Sequence, residues 1–265
     1  MPGLAASLDL RLPHAAPFAL VVFRLAGLFI FAPVLSSAMI PGRTRALIAV
    51  MLGAAVYPLL PPIAPVHTDI GVFELLPMVV GEALIGAAIG VTASIPLVSL
   101  ELAGVMAGQQ VGFGLARVYN PELETDTDLF GQMLFYLGAG AFIATGGIET
   151  MFRTVVSTFG RVPVGGIASG QAPVTLLTGV LTSGFEMGLR VAAPITGIVL
   201  LLVIVFAAIG KTMPQLNIMT VGFTAKILAA LMIAAAAAHA ISGAAGDEIT
   251  HTMDKIVDWA DGLGR

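Results

Sequence analysis

The sequence predicts an all-α membrane protein of about six mostly long, kinked, apolar helices paired in hairpins, and three observations predict it. Of 265 residues, 57% are hydrophobic and only 11% charged, with a mean hydropathy of +0.98. A water-soluble domain carries roughly a quarter of its residues as charges, so most of this surface faces something other than water. No Asp, Glu, Lys or Arg occurs in residues 25–42, 46–68, 129–148, 191–210 or 227–246, and crossing a hydrocarbon core takes about 20 mostly apolar residues. Between these runs stand Pro-dense or Gly-rich linkers, which end helices and start turns.

The elements follow in order. Apolar segments fall near residues 15–40, 44–60, 72–108, 129–159, 174–209 and 214–246. The linker from Pro58 to Gly71 is Pro-dense and reads as extended chain, with Asp69 placed to cap the next helix. Segments 72–108 and 174–209 would each run to about 55 Å as straight helices, against a hydrocarbon core of about 30 Å. Pro77 and Pro96 in the first and Pro194 in the second predict kinks. Either these helices tilt and break, or part of each lies outside the membrane against other protein. Gly160 to Pro173 reads as a flexible linker, and Lys211 to Gln215 as a tight turn around Met213-Pro214. In the polar tail, residues 247–265, Ile249, Met253, Ile256 and Ala260 share one helical face. That tail reads either as an amphipathic helix lying on a membrane or partner surface or as a helix end fraying in water. No polar stretch is long enough for a second domain, so residues 1–246 form one hydrophobic body. Gly86 and Gly90, Gly104 and Gly108, and Gly184 and Gly188 are each four apart, a spacing that lets helices approach closely.

Composition excludes several functions. The net charge of −4 leaves no basic footprint for nucleic acid. There is no cysteine, hence no disulfide and no thiolate metal site. His14, His67, His239 and His251 are scattered without metal-ligand spacing. Neither a nucleophile elbow nor a phosphate-binding glycine loop is present. The sequence therefore predicts no catalytic residues, no metal and no cofactor.

Arg24, Glu74, Glu82, Glu101, Glu186, Arg190, Lys211 and Lys226 sit in or beside apolar runs. A charge in hydrocarbon costs at least about 3 kcal/mol, so each must face protein, water or another charge. Glu186 and Arg190 are one helical turn apart in the favourable order and read as a structural pair. A proton relay through Glu74, Glu82 and Glu101 is the competing reading, weakened by the absence of a matching carboxylate set in the second half of the chain.

One loop stands apart. After the apolar run, residues 109–114 read Gln109-Gln110-Val111-Gly112-Phe113-Gly114, and Asn120-Pro121 then signals a turn. Glycines on both sides of a phenylalanine hold one bulky apolar group on a pliant backbone. Such a loop reads either as a movable stopper in a pore, with the amides as uncharged polar contacts, or as an exposed loop with a buried Phe anchor.

Three stretches together resemble FliR-type flagellar biosynthesis proteins, a family similar to the SctT, YscT and SpaR subunits of virulence injectisomes. They are Phe23-Arg24-Leu25-Ala26-Gly27 with Ala32-Pro33 and Ile40-Pro41-Gly42-Arg43-Thr44-Arg45; Gly81-Glu82-Ala83-Leu84-Ile85-Gly86 with Gly90 beyond; and Lys211-Thr212-Met213-Pro214-Gln215-Leu216-Asn217-Ile218 running to Gly222-Phe223 and Lys226. The resemblance covers essentially the whole chain. It implies a subunit of the bacterial inner membrane at the flagellar basal body, packed into a helical hetero-oligomeric export gate. FliP-like and FliQ-like subunits would be its neighbours, with FlhB-like and FlhA-like components alongside and unfolded flagellar protein in transit. Residues 1–173 would be the P-like part and 174–246 a Q-like hairpin. The family's pore plug maps onto the loop carrying Gln109, Gln110, Val111, Gly112, Phe113, Gly114 and Asn120. Pro214, Gln215 and Asn217 would form the hairpin turn, and Arg24, Glu82, Glu186, Arg190 and Lys226 would be structural ionisable residues. Two alternatives remain: the homologous gate subunit of an injectisome, and a small proton-coupled secondary transporter using Glu82 or Glu101.

Overall fold

The computed structural model describes residues 12–36, 40–60, 72–112, 129–166, 174–213, 215 and 217–263. The described chain is all-α, as predicted, and holds seven α-helices. These are α1 (Leu12–Phe31), α2 (Gly42–Val56, running into a 3-10 turn at Tyr57–Leu59), α3 (Val72–Val111), α4 (Leu129–Ala144), α5 (Gly147–Arg161), α6 (Val174–Thr212) and α7 (Ile218–Gly262).

Three element boundaries differ from the sequence reading, the first being α1, which ends at Phe31 rather than near residue 40. The single segment expected over residues 129–159 is a pair of helices, α4 and α5, bent by 62°. Gly146 takes φ +73 at the break and its carbonyl accepts from the Thr150 N–H, so the first turn of α5 starts in a new direction. The last helix does not stop at residue 246. It continues to Gly262 because the stripe Ile249, Met253, Ile256 and Ala260 is buried within the chain itself rather than left open for a membrane or a partner. Segments 72–108 and 174–209 do not break at their prolines: α3 and α6 run unbroken past Pro77, Pro96 and Pro194.

Among the described residues three helices are long and apolar enough to cross a membrane, Leu75–Val111, Val174–Thr212 and Met219–Gly262, or up to four if the bent α4–α5 pair is one span. In the first of these helices the Thr92 and Ser99 hydroxyls return their protons to carbonyls of the preceding turn, those of Ala88 and Ile95. Backbone and side chain are thereby satisfied without water.

Contacts divide the chain into two compact units. One comprises Met1–Ser94, Gly146–Val180 and His251–Arg265, the other Ile95–Thr145 and Leu181–Thr250. In the first unit α1 and α3 cross so closely that their backbones touch: a Cβ at Gly27 would lie 2.1 Å from the Ala83 carbonyl oxygen, and one at Gly86 1.9 Å from that of Arg24. Gly53 seats α2 on α1 at Val22, and the Phe18 and Tyr57 rings meet edge to face. The end of α7 closes this unit, with Trp259 and Leu263 against Ile85 and Val162.

In the second unit the far half of α3 is the pillar. Gly104 admits the backbone of α4 at Phe130 and Gly131, while Gly184 and Gly188 bring α6 onto Ser99. Ala107, Val111, Phe130, Ile195, Val199, Ala230 and Ala234 form its core. Van der Waals packing of small residues, rather than expulsion of water, is what holds helices together in an apolar solvent.

Candidate functional site

The first unit is organised around one buried ion pair. Arg24 on α1 and Glu82 on α3 are 0% and 1% exposed, with the Arg24 Nε 2.5 Å from Glu82 Oε2. The remaining capacity of both groups is also used. Arg24 donates to the Thr158 hydroxyl of α5 at 3.0 Å and to the Val162 carbonyl just beyond α5 at 3.2 Å. The second carboxylate oxygen of Glu82 accepts the Gly165 N–H at 2.8 Å. Thr158 passes its own proton to the Val155 carbonyl, and the guanidinium lies 4.1 Å from the centre of the Phe159 ring.

Local sequence explains the convergence. Gly27, Gly86 and Gly90 remove the side chains that would separate α1 from α3, and residues 24 and 82 lie about one turn from that crossing. Gly165 has φ +79, a conformation that favours glycine, and this turns its N–H onto Glu82. The cluster fastens three helices and the turn after α5 with directional bonds in a place where burial alone supplies little force.

A second feature lies along α3 in the other unit. From Ile95 onward the helix is buried on one side and open on the other, and its open side carries Val98, Glu101, Leu102, Val105 and Met106 before ending at Gln109 and Gln110. Val111, fully buried in the second core, anchors the helix end. Gly112 at φ +106 then terminates it, its N–H on the Gly108 carbonyl. Phe113, Gly114 and Asn120 lie outside the described residues.

The family model described as bacterial export proteins, family 1, matches residues 15–252. The chain belongs to this family. It is 27% identical over 217 residues, 81% of both chains, to the flagellar biosynthetic protein FliR of Escherichia coli (strain K12). It is 26% identical to the flagellar biosynthetic protein FliR of Aquifex aeolicus (strain VF5), over 80% of this chain and 81% of the relative. It is also 25% identical to the surface presentation of antigens protein SpaR of Salmonella typhimurium (strain LT2), over 82% and 81%.

In this export protein the two N-terminal stretches that carry the resemblance meet in space. Arg24 and Gly27 of one face Glu82 and Gly86 of the other. Among residues of the third stretch, Asn217 accepts the Thr220 N–H on its side-chain oxygen at 3.3 Å and so caps α7, while Gln215 is exposed. Pro214 lies outside the described residues. Lys211 falls in the last turn of α6, where a cation suits the helix dipole, and Lys226 is half-buried on α7. Glu186 and Arg190 do pair, at 3.8 Å and well exposed.

Sequence reasoning named Arg24 and Glu82 separately and missed their pairing, together with Thr158, Phe159, Val162 and Gly165. Residues 58 to 138 apart along the chain carry no signal of contact in a single sequence. Only the glycine pair after Pro163 hinted at a special turn.

Proposed function

We propose that this chain is a core subunit of the type III protein export gate of the bacterial flagellum. It sits in the inner membrane at the basal body and helps to form and plug the channel through which unfolded flagellar subunits leave. One observation carries the reading. The most apolar windows of α6 and α7 are only 17% buried by the chain itself, while α6 and α7 run 39 and 45 residues. Helices of that length outrun a hydrocarbon core of about 30 Å, so lipid covers only part of them and, apart from the end of α7 that the chain itself covers, neighbouring subunits cover the rest. FliP-like and FliQ-like subunits are the proposed neighbours, with FlhB-like and FlhA-like components alongside. Residues 1–173 act as the P-like part and 174–246 as the Q-like hairpin. No catalytic step belongs to this chain, and energy comes from partner proteins and the proton gradient.

The plug is the segment that follows α3. Its support is the placement of Gln109 and Gln110, both exposed at the helix end, and of Gly112, whose positive φ turns the chain out of the helix. Removing residues 110–119 is expected to let small solutes leak through an assembled gate while export continues. Dye or ion flux in cells carrying the deletion measures this, and a gate that still seals would remove the plug assignment.

A virulence injectisome is the second reading, favoured by relatives such as SpaR and the secretion system apparatus protein SsaT of Salmonella typhimurium (strain LT2). Rescue of motility in a strain lacking its flagellar counterpart separates the two. A secondary transporter coupled through Glu82 fits poorly, because both oxygens of that carboxylate are already engaged by Arg24 and Gly165.

A further inference from the structure

We propose that the open face of α3 from Val98 to Gln109 seats an apolar helix of a neighbouring subunit, and that Glu101 pairs there with a lysine or arginine which that helix carries. The inference deepens the gate reading and rests on it.

Exposure along this half of α3 follows a strict rhythm. Val98, Leu102 and Met106 are each followed three and four residues on by further open or half-open positions, namely Glu101 and Leu102, Val105 and Met106, and Gln109 and Gln110. Val98, Leu102 and Met106 are 52%, 43% and 38% exposed, whereas Leu100, Ala103 and Ala107 between them are 0%. Steps of three and four describe one straight stripe down a helix, the pattern by which one helix packs along another. Phe185 and Leu189 of α6, themselves open, border the stripe at Leu102 and Met106 across a small crevice, so the seat is a trough rather than a ridge.

Charge selects the occupant. Glu101 is half-buried in the middle of an apolar stripe, and among the described residues no cation or hydrogen-bond donor is paired with its carboxylate. Lipid chains offer such a group nothing. A helix from another subunit that matches the apolar steps and brings one cation satisfies both parts of the face.

The test uses the full chain co-expressed with the P-like and Q-like subunits of its own system, with the assembled complex weighed by native mass spectrometry. Glu101→Lys is expected to reduce assembly about thirtyfold or more, the scale of disrupting a desolvated charge pair. Glu101→Gln should fall between it and the parent. Changing the Lys and Arg residues of the partners' apolar helices to Glu one at a time should find a single substitution that restores assembly of Glu101→Lys. Because the chain has no cysteine, Val98→Cys and Leu102→Cys also report directly. A membrane-impermeant thiol reagent should label both in the detergent-solubilised single chain and neither in the complex. Wild-type assembly by Glu101→Lys, or continued labelling in the complex as for a water-lined wall, overturns the proposal. A parent chain that never joins those subunits would sink the gate reading as well.

Discussion

Glu82→Gln is expected to cost the folded chain about 3–5 kcal/mol, the usual penalty for stranding one member of a buried ion pair. The substitution keeps the shape of the side chain and removes its charge, leaving the Arg24 guanidinium, 0% exposed, with only neutral acceptors. Arg24→Lys should also destabilise, because one ammonium cannot reproduce a fork that reaches Glu82, Thr158 and Val162 together. Replacing both partners by apolar residues, Arg24→Met with Glu82→Leu, should cost less than the two single changes summed. It should not be neutral, since the Val162 carbonyl and the Gly165 N–H would each lose a partner. Chemical unfolding of the purified chain in detergent measures all five variants, the two single apolar changes included. A loss below about 1 kcal/mol for Glu82→Gln would mean that water reaches the pair and the cluster does not hold the helices.

The same cluster shows what a single sequence reveals and what it hides. The all-α membrane class was legible because exclusion of charge from long runs is a compositional fact, and backbone satisfaction in lipid leaves helices as the simple solution for such runs. Boundaries were less legible. Residues 145–147, Thr-Gly-Gly, break the fourth predicted segment, yet glycine is so frequent here, 31 residues, that a break looks like any packing glycine. The end of α7 was misjudged because charges resume at Asp247, while what prolongs the helix is a buried stripe, followed by Trp259 and Leu263 packed on Ile85 and Val162, far away in sequence. For the site, cost arguments identified each ionisable residue that needs an explanation, but could not say which meets which. Pairing is decided by the α1–α3 crossing, and the crossing by glycines whose partners are backbone atoms with no side-chain identity to read.

Gly86→Ala is expected to destabilise the first unit by about 3 kcal/mol, at the upper end for one added methyl in a packed interior. The new Cβ would lie 1.9 Å from the Arg24 carbonyl oxygen, against the 3.4 Å at which ordinary contact begins. That atom belongs to the backbone of a helix, so no rotamer change relieves the clash and α1 has to move away from α3. The displaced residue is Arg24 itself, so parting the helices also stretches the bonds to Glu82, Thr158 and Val162. Gly81→Ala is the control: it lies in the same helix one residue before Glu82 with nothing within 4 Å of the new Cβ, and should gain up to about 1 kcal/mol from helix propensity. Gly27→Ala strikes the same crossing from the other side, at the Ala83 carbonyl. The two alanines together should therefore cost clearly less than their sum, because the first has already separated the helices that the second would push apart. Full additivity in detergent unfolding would show two independent sites, and the crossing would then not be what holds Arg24 against Glu82.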